Sequence, residues 1–178
     1  MTETVSIGVI GAGGIFRRRH FPALTDMDDV EIAAIANRSA ESARSIAEEF
    51  GIDADLGDDP RAVIDRDDVD AVMVGTWPYR HHPYAMAALD AEKHVFVQAR
   101  MAKNLGEAKE MYARSEETGL VTQICPSPMG MRGDAVMQDL IEGGYLGDLY
   151  FVRGRHVGGG RIDPSDPVSW RDQERFQG

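Results

Sequence analysis

The residues best suited to chemistry stand at the start of the chain. An apolar run, Val5-Ser-Ile-Gly-Val-Ile10, leads straight into Gly11-Ala-Gly13-Gly14-Ile15-Phe16. A strand that ends in Gly-x-Gly-Gly and then opens a helix turns backbone N–H groups toward a pyrophosphate. Gly11 is expected to make the tight turn, and Gly13 to let the main chain approach the phosphates. Gly11, Gly13, Gly14, Ile15 and Phe16 are therefore candidate dinucleotide contacts. Phe16 departs from the pattern. It stands where G-x-G-x-x-G/A carries its third small residue, the one that lets the helix pack closely on the strand.

A second determinant follows the next apolar run, at Asn37-Arg38-Ser39. An acidic residue at this point accepts bonds from a ribose 2′-hydroxyl, whereas an arginine accommodates a 2′-phosphate. No carboxylate is expected at this point to repel a phosphate. Arg38 offers a fork of donors and Ser39 a hydroxyl. NADP is the expected cofactor, with NAD as the alternative. The competing reading makes Ser39 a helix cap and Arg38 a solvated charge, and the two roles can coexist.

These groups need a frame to hold them. Strands are expected over 5–10, 30–36, 70–76, 94–97 and 120–124. Helices are expected over 15–24, 40–50, 60–65 and 81–91, with a further one ending near Thr118. Ser39 and Asn104 read as N-caps, the latter within an Asn104-Leu-Gly-Glu107 capping box, and Gly51 and Gly119 as helix stops. The 70–76 run is almost wholly apolar, as in a strand buried on both faces. Strands alternating with helices at this spacing predict an α/β fold, a doubly wound parallel sheet. Two prolines in Cys125-Pro-Ser-Pro-Met-Gly-Met mark a domain boundary. Residues 1–125 are read as the dinucleotide-binding Rossmann domain. Residues 126–178 are read as the incomplete start of an α+β second domain, with a helix over 134–143 and a strand over 149–157.

Composition narrows the partners. The chain has 178 residues, 30 Asp and Glu against 19 Lys and Arg, and a net charge of −11. That balance argues against nucleic acid or an anionic membrane surface. Lys93, Lys103 and Lys109 are the only lysines. Abundant acid with scarce lysine resembles cytosolic proteins of organisms that keep high internal salt, and predicts loss of structure at low salt. Cys125 is the sole cysteine, so neither an internal disulfide nor a cysteine metal cluster is expected, and no metal site is predicted. With no basic-apolar leader and no membrane-length apolar run, the cytoplasm is the expected location.

Several segments taken together carry a family resemblance: the Gly11–Phe16 loop, Asn37-Arg38-Ser39, the 70–76 run, Trp77-Pro-Tyr79-Arg-His81, Glu92-Lys-His-Val-Phe96 and Gly144-Tyr-Leu-Gly-Asp-Leu149. In this order the chain resembles the Gfo/Idh/MocA oxidoreductases (glucose–fructose oxidoreductase, inositol dehydrogenase and relatives). The resemblance implies an N-terminal Rossmann domain and a C-terminal α/β domain that carries substrate and often the oligomer contact. It also implies hydride transfer between a nicotinamide and a sugar, polyol or related carbonyl compound, and a homo-oligomer in the full-length protein. The family's T-P-N-x-x-H reads here Thr76-Trp77-Pro78-Tyr79-Arg80-His81. Thr76, Trp77, Tyr79 and His81 are thereby cofactor-side candidates, although the aromatics are equally read as packing residues and His81 as one that caps or orients the following helix.

The family's E-K-P reads here Gln98-Ala99-Arg100. Gln98 can still bond a cofactor ribose. Ala99 stands at the position of the proton-shuttling lysine and has nothing to titrate. Arg100 can hold a carboxylate or oxyanion but is a poor proton shuttle. Lys103 is expected to face solvent near a helix start. The catalytic residues are thus unassigned, with Arg100 and Lys103 as weak candidates. The family's later G-x-H-x-x-D-type segment would lie beyond Trp170-Arg171, and His156 is read as a sheet residue. Three functional readings stay open: an oxidoreductase, a dinucleotide-binding protein without turnover (a redox sensor or partner subunit), and a relative adapted to non-redox chemistry.

Overall fold

The computed structural model describes residues 4–125, 133–155, 157, 165 and 167. It divides into two compact units, one with residues 4–125 and one with the described residues from 133 onward.

The first unit is a six-stranded sheet in the order β3-β2-β1-β4-β5-β6, every neighbouring pair parallel. The strands are β1 (Val5–Ile10), β2 (Val30–Ala36), β3 (Asp55–Gly57), β4 (Ala71–Val74), β5 (His94–Val97) and β6 (Thr122–Ile124). Period-2 alternation divides their side chains between two cores. Ile7 and Val9 of β1 and Met73 of β4 pack with Phe16, Phe21, Ala43 and Ile46 on one face. Ile10, Val72 and Val74 pack with Val63, Ile64, Ala85, Ala88 and Leu89 on the other. Both faces of the sheet are therefore covered, which is why its central strands tolerate near-continuous apolar runs.

The first helix, α1 (16–24), winds as a π-helical turn over Phe16–His20 and closes with an α-helical turn over Phe21–Leu24. Helix α2 spans Ala40–Phe50, capped by Ser39, and stops at Gly51 in the left-handed region at φ 65°. The others in this unit are α3 (Pro60–Ile64), α4 (His81–Asp90), entered through a 3₁₀ turn at Pro78–Arg80, and α5 (Leu105–Thr118). The Asn104 cap closes as expected, its Oδ1 accepting from the Glu107 N–H at 3.0 Å. The returning arm differs, because the Glu107 carboxylate accepts from the Lys103 N–H rather than from Asn104.

In the second unit α6 (Asp134–Glu142) forms where a helix is expected. Its apolar residues Val136, Met137, Leu140 and Ile141 are exposed. The expected strand over 149–157 does not form across residues 149–155. A strand needs a partner ladder for its N–H and C=O groups, and each strand among the described residues belongs to the six-stranded sheet. His156, Trp170 and Arg171 lie outside the described residues. No helix among the described residues is long and apolar enough to cross a membrane.

Candidate functional site

In a doubly wound sheet ligands bind beyond the carboxyl ends of the strands, where the strand order reverses. Here that point lies between β1 and β4, which are neighbours in space although β2 and β3 intervene in sequence. Gly11 follows β1 directly and Gly75 follows β4. Gly11 has φ +84°, and a Cβ on it would stand 2.6 Å from the Thr76 methyl and 2.8 Å from the Thr76 nitrogen. Only glycine allows the turn to run this close to the β4 end. The Gly11 N–H donates to the Ala36 carbonyl at 2.8 Å, tying the loop to the end of β2.

The Gly13 N–H turns back onto the Gly11 carbonyl at 2.8 Å, so it is spent within the loop. The donors left for a ligand are those of the first helical turn, beginning with Gly14 and Ile15. Nothing lies within 4 Å of where a Cβ would stand on Gly13 or Gly14. The loop therefore offers open space together with N–H groups, as a pyrophosphate needs.

Phe16 does not line this space. Its ring is fully buried beneath the loop, packed against His20 and Phe21 at centroid distances of 4.5 and 5.7 Å. A Cβ on Gly75 would fall 2.2 Å from the Phe16 ring. The small residue missing from the helix is thus supplied by the facing strand end, and the close packing is kept with the bulk on the other side.

An open cleft of about 580 Å³ runs from this loop to the ends of β2 and β3. Of the residues predicted from sequence, Gly11, Gly13, Asn37, Arg38, Thr76, Trp77 and Tyr79 line it together. The exposed Arg38 guanidinium has no hydrogen bond or ion pair among the described residues. Ser39 does not reach the cleft. Its hydroxyl accepts from the Ser42 N–H at 3.2 Å as the cap of α2, and Ser42 lines the cleft instead. The absence of a carboxylate also needs correction, because Asp58, from the end of β3, lines the same cleft as Arg38.

His81 is completely buried. Its Nδ1 lies 2.6 Å from the Arg100 carbonyl oxygen and its Nε2 2.8 Å from the Thr76 carbonyl oxygen. Both partners are backbone carbonyl oxygens, so the ring is held between the two chain segments. Rather than facing a ligand, His81 ties the chain after β4 to the chain after β5. At the β5 edge, the Gln98 Oε1 accepts from the His20 Nε2–H at 2.8 Å. The His20 ring lies between Phe16 and Phe96, at 4.5 and 5.4 Å. The Gln98 amide N–H groups have no partner among the described residues. Ala99 and Arg100 are exposed. Lys103 is half-buried and precedes the Asn104 cap, so it lies outside α5 and is less exposed than expected.

Besides Ser42 and the strand-end residues Ile10, Ala36 and Gly75, the cleft residues not singled out from sequence are Asp58, Pro60, Arg80 and Tyr84. Of these last four, Asp58 and Pro60 follow β3, a three-residue polar strand with no periodicity to read. Arg80 and Tyr84 are spaced i, i+4 at the start of α4, a spacing that brings side chains together on a helix. The Arg80 Nε donates to the Tyr79 hydroxyl at 3.0 Å and its Nη1 to the Tyr84 hydroxyl at 2.6 Å. The Tyr79 and then the Tyr84 hydroxyl bonds raise the Arg80 pKa above its ordinary value.

A family profile described as "Oxidoreductase family, NAD-binding Rossmann fold" matches residues 5–125. The chain belongs to the Gfo/Idh/MocA oxidoreductase family. It is 31% identical to a 4-carboxy-2-hydroxymuconate-6-semialdehyde dehydrogenase from Sphingobium sp. (strain NBRC 103272 / SYK-6), over 93% of this chain and 53% of that protein. A 3-ketoreductase from Actinomadura kijaniata, crystallised with TDP-benzene and NADP, superposes with a TM-score of 0.72 at 30% identity, covering 80% of this chain and 44% of that one. A myo-inositol dehydrogenase from Lactobacillus casei, in complex with NAD(H) and myo-inositol, gives 0.73 at 25% identity, covering 79% and 42%. The chain spans about half the length of the curated relatives it matches. As a member of the Gfo/Idh/MocA family it has the Rossmann fold that the sheet order displays.

Proposed function

We propose that this chain is the dinucleotide-binding part of an oxidoreductase that prefers NADP over NAD. The single observation carrying the preference is the Arg38 guanidinium, without a partner among the described residues, on the same cleft as Gly11 and Gly13. The first helical turn would hold the pyrophosphate and Arg38 the 2′-phosphate, with Asn37 and Ser42 beside it. Asp58 works against the phosphate, so the preference is a balance rather than an exclusion. Thr76 and Trp77 flank the cofactor beyond the loop. Gln98, oriented by His20, presents its amide donors at the β5 edge. The cofactor, when bound, supplies the hydride chemistry, and the protein supplies position and electrostatics.

The substrate class we assign to the whole protein is a sugar, polyol or related carbonyl compound. Its relatives support this: a ketoreductase acting on a dTDP-linked sugar, a levoglucosan dehydrogenase and an inositol dehydrogenase. Substrate would be carried by residues from 126 onward together with the remainder of the full-length protein, as a homo-oligomer. Residues 1–125 and 126–178 are the domain boundaries we adopt. Binding is tested by fluorescence titration with NADPH and NADH. NADPH is expected to bind more tightly, and Arg38→Ala to abolish the difference. Removing a charge-assisted phosphate bond costs about 1.5–3 kcal/mol, roughly ten- to a hundredfold in affinity. Tighter binding of NADH by the unsubstituted protein overturns the preference.

One observation favours a second reading, binding without turnover: Ala99 brings no proton-transferring group to the β5 edge. Stoichiometric NADPH binding with no absorbance change on any sugar, polyol or carbonyl compound by the full-length protein would select it.

A further inference from the structure

We infer that Arg80 and Tyr84 form the adenine-binding wall of the cleft, with Arg80 offering the base its guanidinium plane rather than offering the phosphate its N–H edge. The inference rests on the dinucleotide reading above and adds to it the residues that would recognise the base.

Position comes first. Arg80 and Tyr84 line the cleft with Asn37, Arg38, Asp58 and Pro60, all from the β2 and β3 ends. Gln98, at the β5 edge, does not line it. A dinucleotide whose pyrophosphate rests on the β1 loop and whose 2′-phosphate meets Arg38 has only its adenosine half left to place here. Arg80 and Tyr84 stand in that half.

Hydrogen bonding then decides how Arg80 can act. A guanidinium grips a phosphate through a pair of parallel N–H groups. The Arg80 Nε is already given to the Tyr79 hydroxyl and Nη1 to the Tyr84 hydroxyl. The side-on pair with Nε is spent, and one Nη1 N–H is held by the Tyr84 hydroxyl at 2.6 Å, whereas Arg38 on the same cleft has no partner for its donors among the described residues. The planar face of Arg80 stays open to stacking, and an arginine face stacks on flat rings. The guanidinium carbon lies 5.4 Å from the Tyr79 ring centroid and the Trp77 and Tyr79 rings are 6.1 Å apart, so one side of the group is lined by aromatics. Two tyrosine hydroxyls fix an otherwise flexible exposed side chain, which lowers the entropy lost when a base stacks on it.

The test is titration of the full chain with NADPH, NADH and ADP-ribose, for the unsubstituted protein, Arg80→Ala and Tyr84→Phe. Arg80→Ala is expected to weaken all three by the same factor, about tenfold for a stacked guanidinium that becomes desolvated. Tyr84→Phe is expected to weaken all three by about two- to threefold, since it frees Nη1 but keeps the arginine. Both positions tolerate the change sterically, and circular dichroism of each variant is expected to match the parent. Loss confined to NADPH makes Arg80 a phosphate ligand and overturns the inference, as does unchanged binding of all three. If the unsubstituted protein binds no dinucleotide, the function proposed above fails, and the adenine wall with it. Tight parental binding that is indifferent to Arg80 sinks the wall alone.

Discussion

Replacing Gly75 by alanine tests how the chain accommodates phenylalanine in its cofactor loop. The added Cβ would stand 2.2 and 2.5 Å from two Phe16 ring carbons and 2.6 Å from the Gly11 carbonyl oxygen. Real Cβ atoms do not approach this closely, so something must move. Phe16 is fully buried between His20, Phe21 and the sheet, which leaves its ring no empty space to enter. The Gly11 carbonyl belongs to a turn already held by the bond from Gly11 to Ala36. Overpacking of a filled core costs about 1–3 kcal/mol, and two independent obstacles put Gly75→Ala at about 3 kcal/mol. At the roughly 2–4 °C per kcal/mol of a chain this size, the melting temperature should fall by about 10 °C. Thermal unfolding followed by circular dichroism reads this directly. The double variant Gly75→Ala with Phe16→Leu should lose less than the two single changes added together, because the smaller side chain vacates part of the space. The Gly11 obstacle remains, so recovery is partial. A Gly75→Ala protein that melts within 2 °C of the parent would refute the claim that Phe16 and Gly75 are a fitted pair.

His20→Ala removes the donor that fixes Gln98 and should weaken NADPH binding by about three- to tenfold, the worth of one hydrogen bond, while Gln98→Ala adds little to it in the same titration. Acid should loosen the β3 edge. The Arg66 guanidinium holds the Asp68 carboxyl below its usual range, so this contribution is full above the ordinary carboxylate pKa and fades as pH falls through the lowered value. The protection factors of the 55–57 amides, with the intrinsic pH dependence of exchange divided out, are expected to fall below about pH 4, and to do so less in Asp68→Asn. A net charge of −11 should make structure salt-dependent, with ellipticity rising between salt-free buffer and about 1 M salt as the Debye length shrinks from tens of ångströms to about 3 Å; full ellipticity without salt would remove that reading.

Much of the sheet was legible because its signals are local. Val30–Ala36 and His94–Val97 are short apolar runs bounded by polar residues, and both fall where expected. Ala40–Phe50 announces itself by a serine before it and a glycine after it. What escaped notice is non-local. β3 is three residues long and exists because it pairs with the end of β2, through Ala34, Ile35 and Ala36. Missing it hid Asp58 and Pro60, and with them the acidic side of the cleft. The Phe16 substitution could be seen from sequence, but its compensation at Gly75 lies 59 positions away and becomes visible only when β1 and β4 are neighbours. The strand expected over 149–157 shows the reverse error. Its residues have strand propensity, yet propensity without a partner forms no ladder.

The cleft and the β5 edge are built on different principles, and this bears on where chemistry would occur. Along the cleft, Arg38 has no partner among the described residues and the glycine loop is left open, features that make sense as sites for a ligand. At the β5 edge the polar groups are mutually engaged: His81 with two carbonyls, His20 with Gln98. His81 is completely buried with both ring nitrogens on backbone carbonyls, and the His20 ring lies between Phe16 and Phe96 with its Nε2 on Gln98, so each has a structural task at this edge. Ala99 has no proton to give, and arginine, the residue type at position 100, is a poor proton shuttle. On the oxidoreductase reading, then, the group that moves the substrate proton belongs to the portion of the protein beyond the Rossmann domain. Ala99→Lys puts this to a test. If the edge lacks only a proton shuttle, the full-length variant should gain turnover with NADPH binding unchanged. If a residue elsewhere already serves, the added lysine should leave turnover equal or lower.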